Sequence, residues 1–158
     1  MVQAYANDVP PNNKQILPVL IINNSYSETK PSFANYKLEL PPILIDQITK
    51  SLNTKYEIKI LNNDYNITDL PSTEKNDLLD LFKGTDYYTV ILVEILPIHF
   101  HTVHIFMQLH IKIIDIKNEK YLYNGKIWRD KGGGVGGVKA INDMSNELDN
   151  ILKNVFKL

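Results

Sequence analysis

Between Thr102 and Lys117 the chain reads TVHIFMQLHIKIIDIK, and no other stretch constrains the fold as much. Successive side chains of a strand point to opposite faces. Val103, Ile105, Met107, Leu109, Ile111 and Ile113 therefore share one face, while His104, Phe106, Gln108, His110 and Lys112 share the other. The first face has to be packed by other elements, and the second is mixed. Asn118-Glu119 then makes a short turn before YLYNGKIW, so the two segments are expected to form a hairpin.

Upstream, QILPVLIINNS is a nearly continuous apolar run, which suits a strand buried on both faces. A polar loop with Pro31 follows. Pro41 and Pro42 then open a helix over PPILIDQITKSLNTK, with Ile45, Ile48 and Leu52 at helical spacing. YEIKIL alternates as a strand. LPSTEKNDLLDLFKG is a second helix, with Ser72 or Thr73 as its cap and Gly84 as its stop. DYYTVILVEIL reads as another central strand, and the terminal helix VKAINDMSNELDNILKNVF carries a stripe of Ile141, Met144, Leu148, Ile151, Leu152 and Val155.

Strands joined through helices tend to run parallel, and strands joined by short turns run antiparallel. The expected fold is α/β (α+β): a single-domain two-layer sandwich, with a mixed sheet of about five strands and about three helices in the order β-α-β-α-β-β-β-α. A length of 158 residues suits one domain. A chain of that size buries about two-thirds of its unfolded surface. Residues 1–6 are read as a signal-peptide remnant or added tail, 7–14 as a flexible mature N-terminus, and 15–158 as the domain.

The succession of ILPVLIINNS, a helix ending in SLNTKYEIKIL, then GTDYYTVILVEI, then VHIFMQLHIKIIDIKNEKYLYNGKI and a final helix resembles bacterial envelope domains of the curli-secretion-channel and Tol-system amino-terminal type. Asp115-Ile116-Lys117-Asn118 matches the hairpin of that group. The chain departs from it in having ILPVLII where a shorter strand and an aromatic residue are usual. It also lacks the insertions that build a channel's membrane strands, which argues against a pore. The resemblance implies a periplasmic or cell-surface accessory domain that binds other envelope proteins. It supplies no catalytic residues to carry over.

KGGGVGGV is the one stretch with the look of a signature, since Gly132, Gly134 and Gly137 satisfy G-x-G-x-x-G. A dinucleotide loop needs a β-α-β unit and an acidic residue about 20 positions further on. Here the helix after the glycines is the last element, and Val138 stands where a Walker lysine would follow. The run is therefore read as a strand-to-helix connection, with no cofactor implied.

Net charge is −1, with acids and bases interspersed, so there is no basic footprint for nucleic acid. The absence of cysteine excludes disulfides, thiol catalysis and thiolate-bound zinc. No apolar run reaches the length of about 20 residues that a transmembrane helix needs. Ala4-Tyr5-Ala6 has the small-x-small form that precedes signal-peptidase cleavage, so export to the periplasm or cell surface is expected, with Asn7 as the mature start.

Histidine is the commonest metal ligand, and His99, His101, His104 and His110 are the four in the chain. His104 and His110 are about 20 Å apart along a strand and cannot share an ion. His99 and His101 could do so only with a third ligand such as Glu94. No serine sits in a nucleophile elbow. Asp77, Asp80, Asp143, Glu147 and Asp149 fall on polar helix faces, where solvation is the default. Tyr87, Tyr88, Tyr121, Tyr123 and Trp128 are read as strand packing.

The expectation is thus a non-catalytic exported accessory domain, with His104, Phe106 and His110 as the partner contact, toward envelope proteins or a second copy of the chain. The alternative is a small-ligand or metal-binding periplasmic protein that uses the His99 to His110 segment.

Overall fold

The computed structural model describes residues 14–25, 36–101, 104–132 and 136–158, with the backbone alone for Tyr36, Lys37, Phe100 and His101. The expectations for residues 1–13, the Pro31 loop, Val103 and residues 133–135 lie outside these.

The apolar run at the start becomes β1 (Gln15–Asn23). It pairs in parallel with β2 (Tyr56–Ile60) on one side and with β3 (Thr89–Ile95) on the other. This central position explains why β1 is apolar on both faces: Leu17 and Val19 enter one core, Leu20 and Ile22 a second. β3 runs antiparallel to β5 (His104–Asp115), and β5 runs antiparallel to β6 (Lys120–Gly132). A three-residue strand, β4 (His99–His101), pairs with β5 beyond the end of β3. β6 flanks β5 over its whole length, so β4 must lie on the β3 side. Six strands thus fill five positions of a mixed sheet.

Three helices complete the domain: α1 (Tyr36–Leu52), α2 (Lys75–Phe82) and α3 (Gly136–Phe156). The order of elements is the expected one, with β4 added. α1 and α3 form the second layer of the sandwich, and each presents a row spaced by four residues. Leu40, Leu44, Ile48 and Leu52 come from α1; Ala140, Met144, Leu148, Leu152 and Phe156 come from α3. Such i, i+4 rows are the ridges with which helices pack. They meet Ile105, Met107, Leu109, Ile111 and Ile113 of β5, the face expected to be packed. Burying a leucine fully contributes about 1.5–3 kcal/mol, so these rows dominate the fold's stability.

Local expectations gave way at three places. α1 begins at Tyr36, with Pro41 and Pro42 inside it. The two prolines cost only the bonds to the carbonyls of residues 37 and 38 near the helix start, and the added turn buries Leu40. The buried stripe runs accordingly through Leu40 and Leu44, with Ile45 at its margin. At α2, Glu74 occupies the cap position without a side-chain cap bond. Ser72 and Thr73 close a turn on Asp69 instead, through Ser72 N to Asp69 Oδ1 at 3.4 Å and Thr73 Oγ1 to Asp69 O at 2.6 Å. The helix ends at Phe82 with Lys83 still in the right-handed region, so Gly84 does not serve as a left-handed stop.

The β5–β6 hairpin forms as expected, Asp115 pairing with Lys120. Asp115 accepts hydrogen bonds from Asn118 N at 3.0 Å and Asn118 Nδ2 at 2.7 Å, and Glu119 takes the left-handed φ of 55° that closes the turn.

The acids of α3 are engaged rather than merely solvated. Glu147 pairs with Arg129, and Asp143 with Lys131 at 2.9 Å, tying α3 to β6. Asp149 accepts from Ser51 Oγ at 2.6 Å and pairs with Lys153. The hydrogen bond from Lys131 holds the Asp143 carboxyl below its ordinary range, and the Ser51 bond, with Lys153 beside it, does the same for Asp149.

Candidate functional site: an uncovered sheet face

α2 packs on the second face of the sheet, over Leu20, Ile22, Val90, Leu92 and Ile114. Among the described residues no helix covers the other half of that face, where β4, β5 and β6 run side by side.

A one-residue bulge composes this half. Ile95 pairs with Leu109 and His99 with Phe106, so Leu96, Pro97 and Ile98 stand opposite only Met107 and Gln108. Leu96 N still donates to Gln108 O at 3.1 Å. An extra residue reverses the alternation of a strand. In β3 the odd positions Ile91, Val93 and Ile95 face the helices, but after the bulge Ile98 does so. His99 is thereby moved out of the core and onto the second face, where its ring lies 6.3 Å from that of Phe106.

Phe106 is in turn 5.8 Å from Trp128 of β6. Trp128 pairs with Gln108 in the ladder and is 56% exposed. His99, Phe106 and Trp128 thus make a tilted row of aromatic rings across three strands. At its margin His104 Nδ1 is 3.0 Å from Asp130 Oδ1. The His104 ring also lies over Gly132, where an added Cβ would meet it at 3.2 Å. The first glycine of the G-x-G-x-x-G string therefore makes room for a histidine. At the start of α3, a Cβ on Gly136 would come within 2.8 Å of the Lys131 carbonyl oxygen, so that glycine lets the helix approach β6. Gly137 is buried in the first turn. Both described ends of the glycine run have packing reasons.

Of the three residues expected to form the contact, His104 and Phe106 stand together on this face. His110 does not reach the surface: it is 8% exposed, and its Nε2 is 2.9 Å from Asn124 Oδ1. It belongs to a buried polar row with Glu94 and Lys112, both 3% exposed. Glu94 Oε1 accepts from Leu70 N at 2.7 Å, and Oε2 from Asn24 Nδ2 at 2.7 Å. Lys112 Nζ donates to Thr73 O at 2.8 Å and lies over the Tyr121 ring. Burial pushes the Lys112 ammonium below its ordinary pKa, against the pull of Glu74 and Asp69.

Glu94, offered as a third ligand for His99 and His101, is thus committed to Leu70 and Asn24. Among the described residues no three metal-ligating side chains converge. Two grooves flank the Thr85 to Tyr88 loop at the opposite end of the sheet. Their lysines 59 and 117 lie over the rings of Tyr87 and Tyr88.

Trp128 is the residue that the sequence reading missed by assigning it to strand packing. The hairpin alone carried no such signal: counting from Asp115 and Lys120 sets Trp128 opposite Met107, and the register shift between Ile113 and Ile114 moves it to Gln108, one step from Phe106.

No protein-family model matches the chain, and no curated protein sequence matches it. Solved structures share its fold at low identity. A PelC dodecamer from Paraburkholderia phytofirmans superposes with a TM-score of 0.53 at 13% identity, over 88% of each chain. TolB from Acinetobacter baumannii gives a TM-score of 0.50 at 12% identity. That likeness covers 92% of this chain but 29% of TolB. Lipoprotein GNA1162 from Neisseria meningitidis gives 0.48 at 14% identity, over 87% of this chain and 99% of that one. For PelC and TolB, at these identities, the likeness is one of fold. It brings the chain together with TolB, in keeping with the Tol-system resemblance.

Proposed function

We propose that the chain is a non-catalytic accessory domain of a bacterial envelope, exported to the periplasm or cell surface, and that it acts by protein–protein contact through the β4–β5–β6 face. One observation carries the reading: the row of His99, Phe106 and Trp128 lies on a sheet face that no described helix covers. Aromatic residues are enriched at the cores of protein interfaces, and tryptophan is among the residues that dominate binding energy there.

The occupant we assign is a second copy of the chain. The charged groups on the face offset one another, with Asp130 beside His104 and Lys126 two residues before Trp128 on the same strand, and a net charge of −1 gives two copies little reason to repel. A self-complementary patch is what a two-fold interface requires. The contact is face to face rather than edge to edge, because β6 carries Lys120, Lys126, Arg129 and Lys131, and charges of this kind guard an edge strand against pairing. The fold also occurs in a PelC dodecamer, which supports assembly without specifying its geometry. The envelope setting draws on the Tol-system resemblance and on TolB among the neighbours.

Trp128 is the only tryptophan, so its fluorescence reports the contact directly. On concentration, the solution mass is expected to exceed that of one chain and the Trp128 emission to shift to shorter wavelength; Phe106→Asp abolishes both changes. A single-chain mass at every concentration, with unchanged emission, removes the second copy as occupant. Cross-linking in the producing cells tests the envelope assignment, and capture of cytosolic proteins alone sinks it.

A further inference from the structure

We propose that His110 makes the attachment of segment 61–74 acid-sensitive: by taking up a proton between neutral and mildly acid pH, it loosens the bracket with which Glu94 holds Asn24 and Leu70 to the sheet. The inference does not depend on the proposed function.

The bracket consists of few bonds. Glu94 accepts the Leu70 amide and the Asn24 side chain, and Asn24 Nδ2 also donates to Thr68 O at 2.9 Å. One carboxylate therefore joins the end of β1 and the segment leading into α2 to β3. His110 is the ladder partner of Glu94 on β5, so the two side chains are neighbours on one face.

An amide oxygen only accepts, so the contact to Asn124 Oδ1 requires the proton on His110 Nε2. Nδ1 is then a bare acceptor. It is buried and has no partner among the described residues. Protonation turns it into a buried donor, beside a ladder partner, the Glu94 carboxylate, whose two oxygens are already in use. The charged groups around the ring are Glu94 on β3, Lys112 on β5 and Lys126 on β6; Asp69 and Glu74, from the segment itself, act on Lys112. Burial lowers the His110 pKa first of all, and Lys112 and Lys126 add to it, while the Asn124 bond and Glu94 oppose.

The sign follows. A histidine whose folded pKa lies below its unfolded value of about 6.5 is neutral in both states at higher pH. As pH falls through about 6.5, the unfolded chain takes up the proton and the native chain does not, so native stability declines until the pH passes the folded pKa. In the native state the cost falls on the groups next to Nδ1, which are those of the bracket.

The test combines a ring titration of His110 by NMR with amide hydrogen exchange of Leu70, on the dilute full chain, between about pH 7.5 and about pH 5.5. His110 is expected to titrate below the ordinary histidine range. The Leu70 protection factor, corrected for the intrinsic pH dependence of exchange, should fall several-fold in step with it and stay level in His110→Gln. A ring that titrates at or above the ordinary value overturns the proposal, as does Leu70 protection that ignores acid or falls equally in His110→Gln. If that variant does not fold, the titration and exchange of the unaltered chain decide alone.

Discussion

The two faces of β5 carry the same alternation and have opposite fates. On one, Ile105 to Ile113 meet the four-residue rows of α1 and α3 and are buried throughout. On the other, exposure runs in a gradient, from buried Lys112 and His110 to half-buried Gln108 and Phe106 and exposed His104. The apolar face is secured by area, which is insensitive to pH. The mixed face is secured by single hydrogen bonds to buried polar groups, each costly to leave unmade. The first gives stability; the second is where the chain has surface to offer and groups that titrate.

Substitutions can break this contrast or sharpen it. Leu148→Ala opens a cavity between α3 and the sheet and should cost about 2–5 kcal/mol in denaturant unfolding. A loss under about 1 kcal/mol would mean that the covered face is loosely packed. Gly136→Ala drives a Cβ into the Lys131 carbonyl and should cost about 1–3 kcal/mol. Since a Cβ fixed to one backbone meets the carbonyl of another, with no flexible side chain to give way, a neutral result would show that α3 can pivot away from β6. Glu119→Gly relieves a left-handed φ in the hairpin turn and is expected to gain about 0.5–1 kcal/mol, read as a higher midpoint with unchanged slope. Phe106→Asp, on the uncovered face, should change the stability of the dilute chain by only about 0.5 kcal/mol while removing association. A large loss of stability would instead place Phe106 with the core.

How far the fold was legible in advance depended on the range of the signal. β1, both partners of the β5–β6 hairpin and the terminal helix could be read because local pattern and burial agree there: Leu20 and Leu17 are both buried, and Met144, Leu148 and Leu152 keep helical spacing. The start of α1 was misread because proline usually opens a helix, whereas the gain from burying Leu40 extends this one by a turn. Trp128 was assigned to packing because its exposure depends on what lies over β6, which no period in β6 encodes.

Alternation and apolar content by themselves determined the order of elements, the mixed sheet and the face of β5 that enters the core. Those outcomes follow from periods of two and of about four residues written along the chain. Only the tertiary structure decided that His110 is interior while His104 stays outside, that a bulge at Pro97 turns His99 out of the core, and that Glu94 ties Asn24 to Leu70. The reason is physical: such outcomes depend on contacts between residues as far apart as Asn24 and Glu94, set by which surfaces the helices cover and which they leave bare.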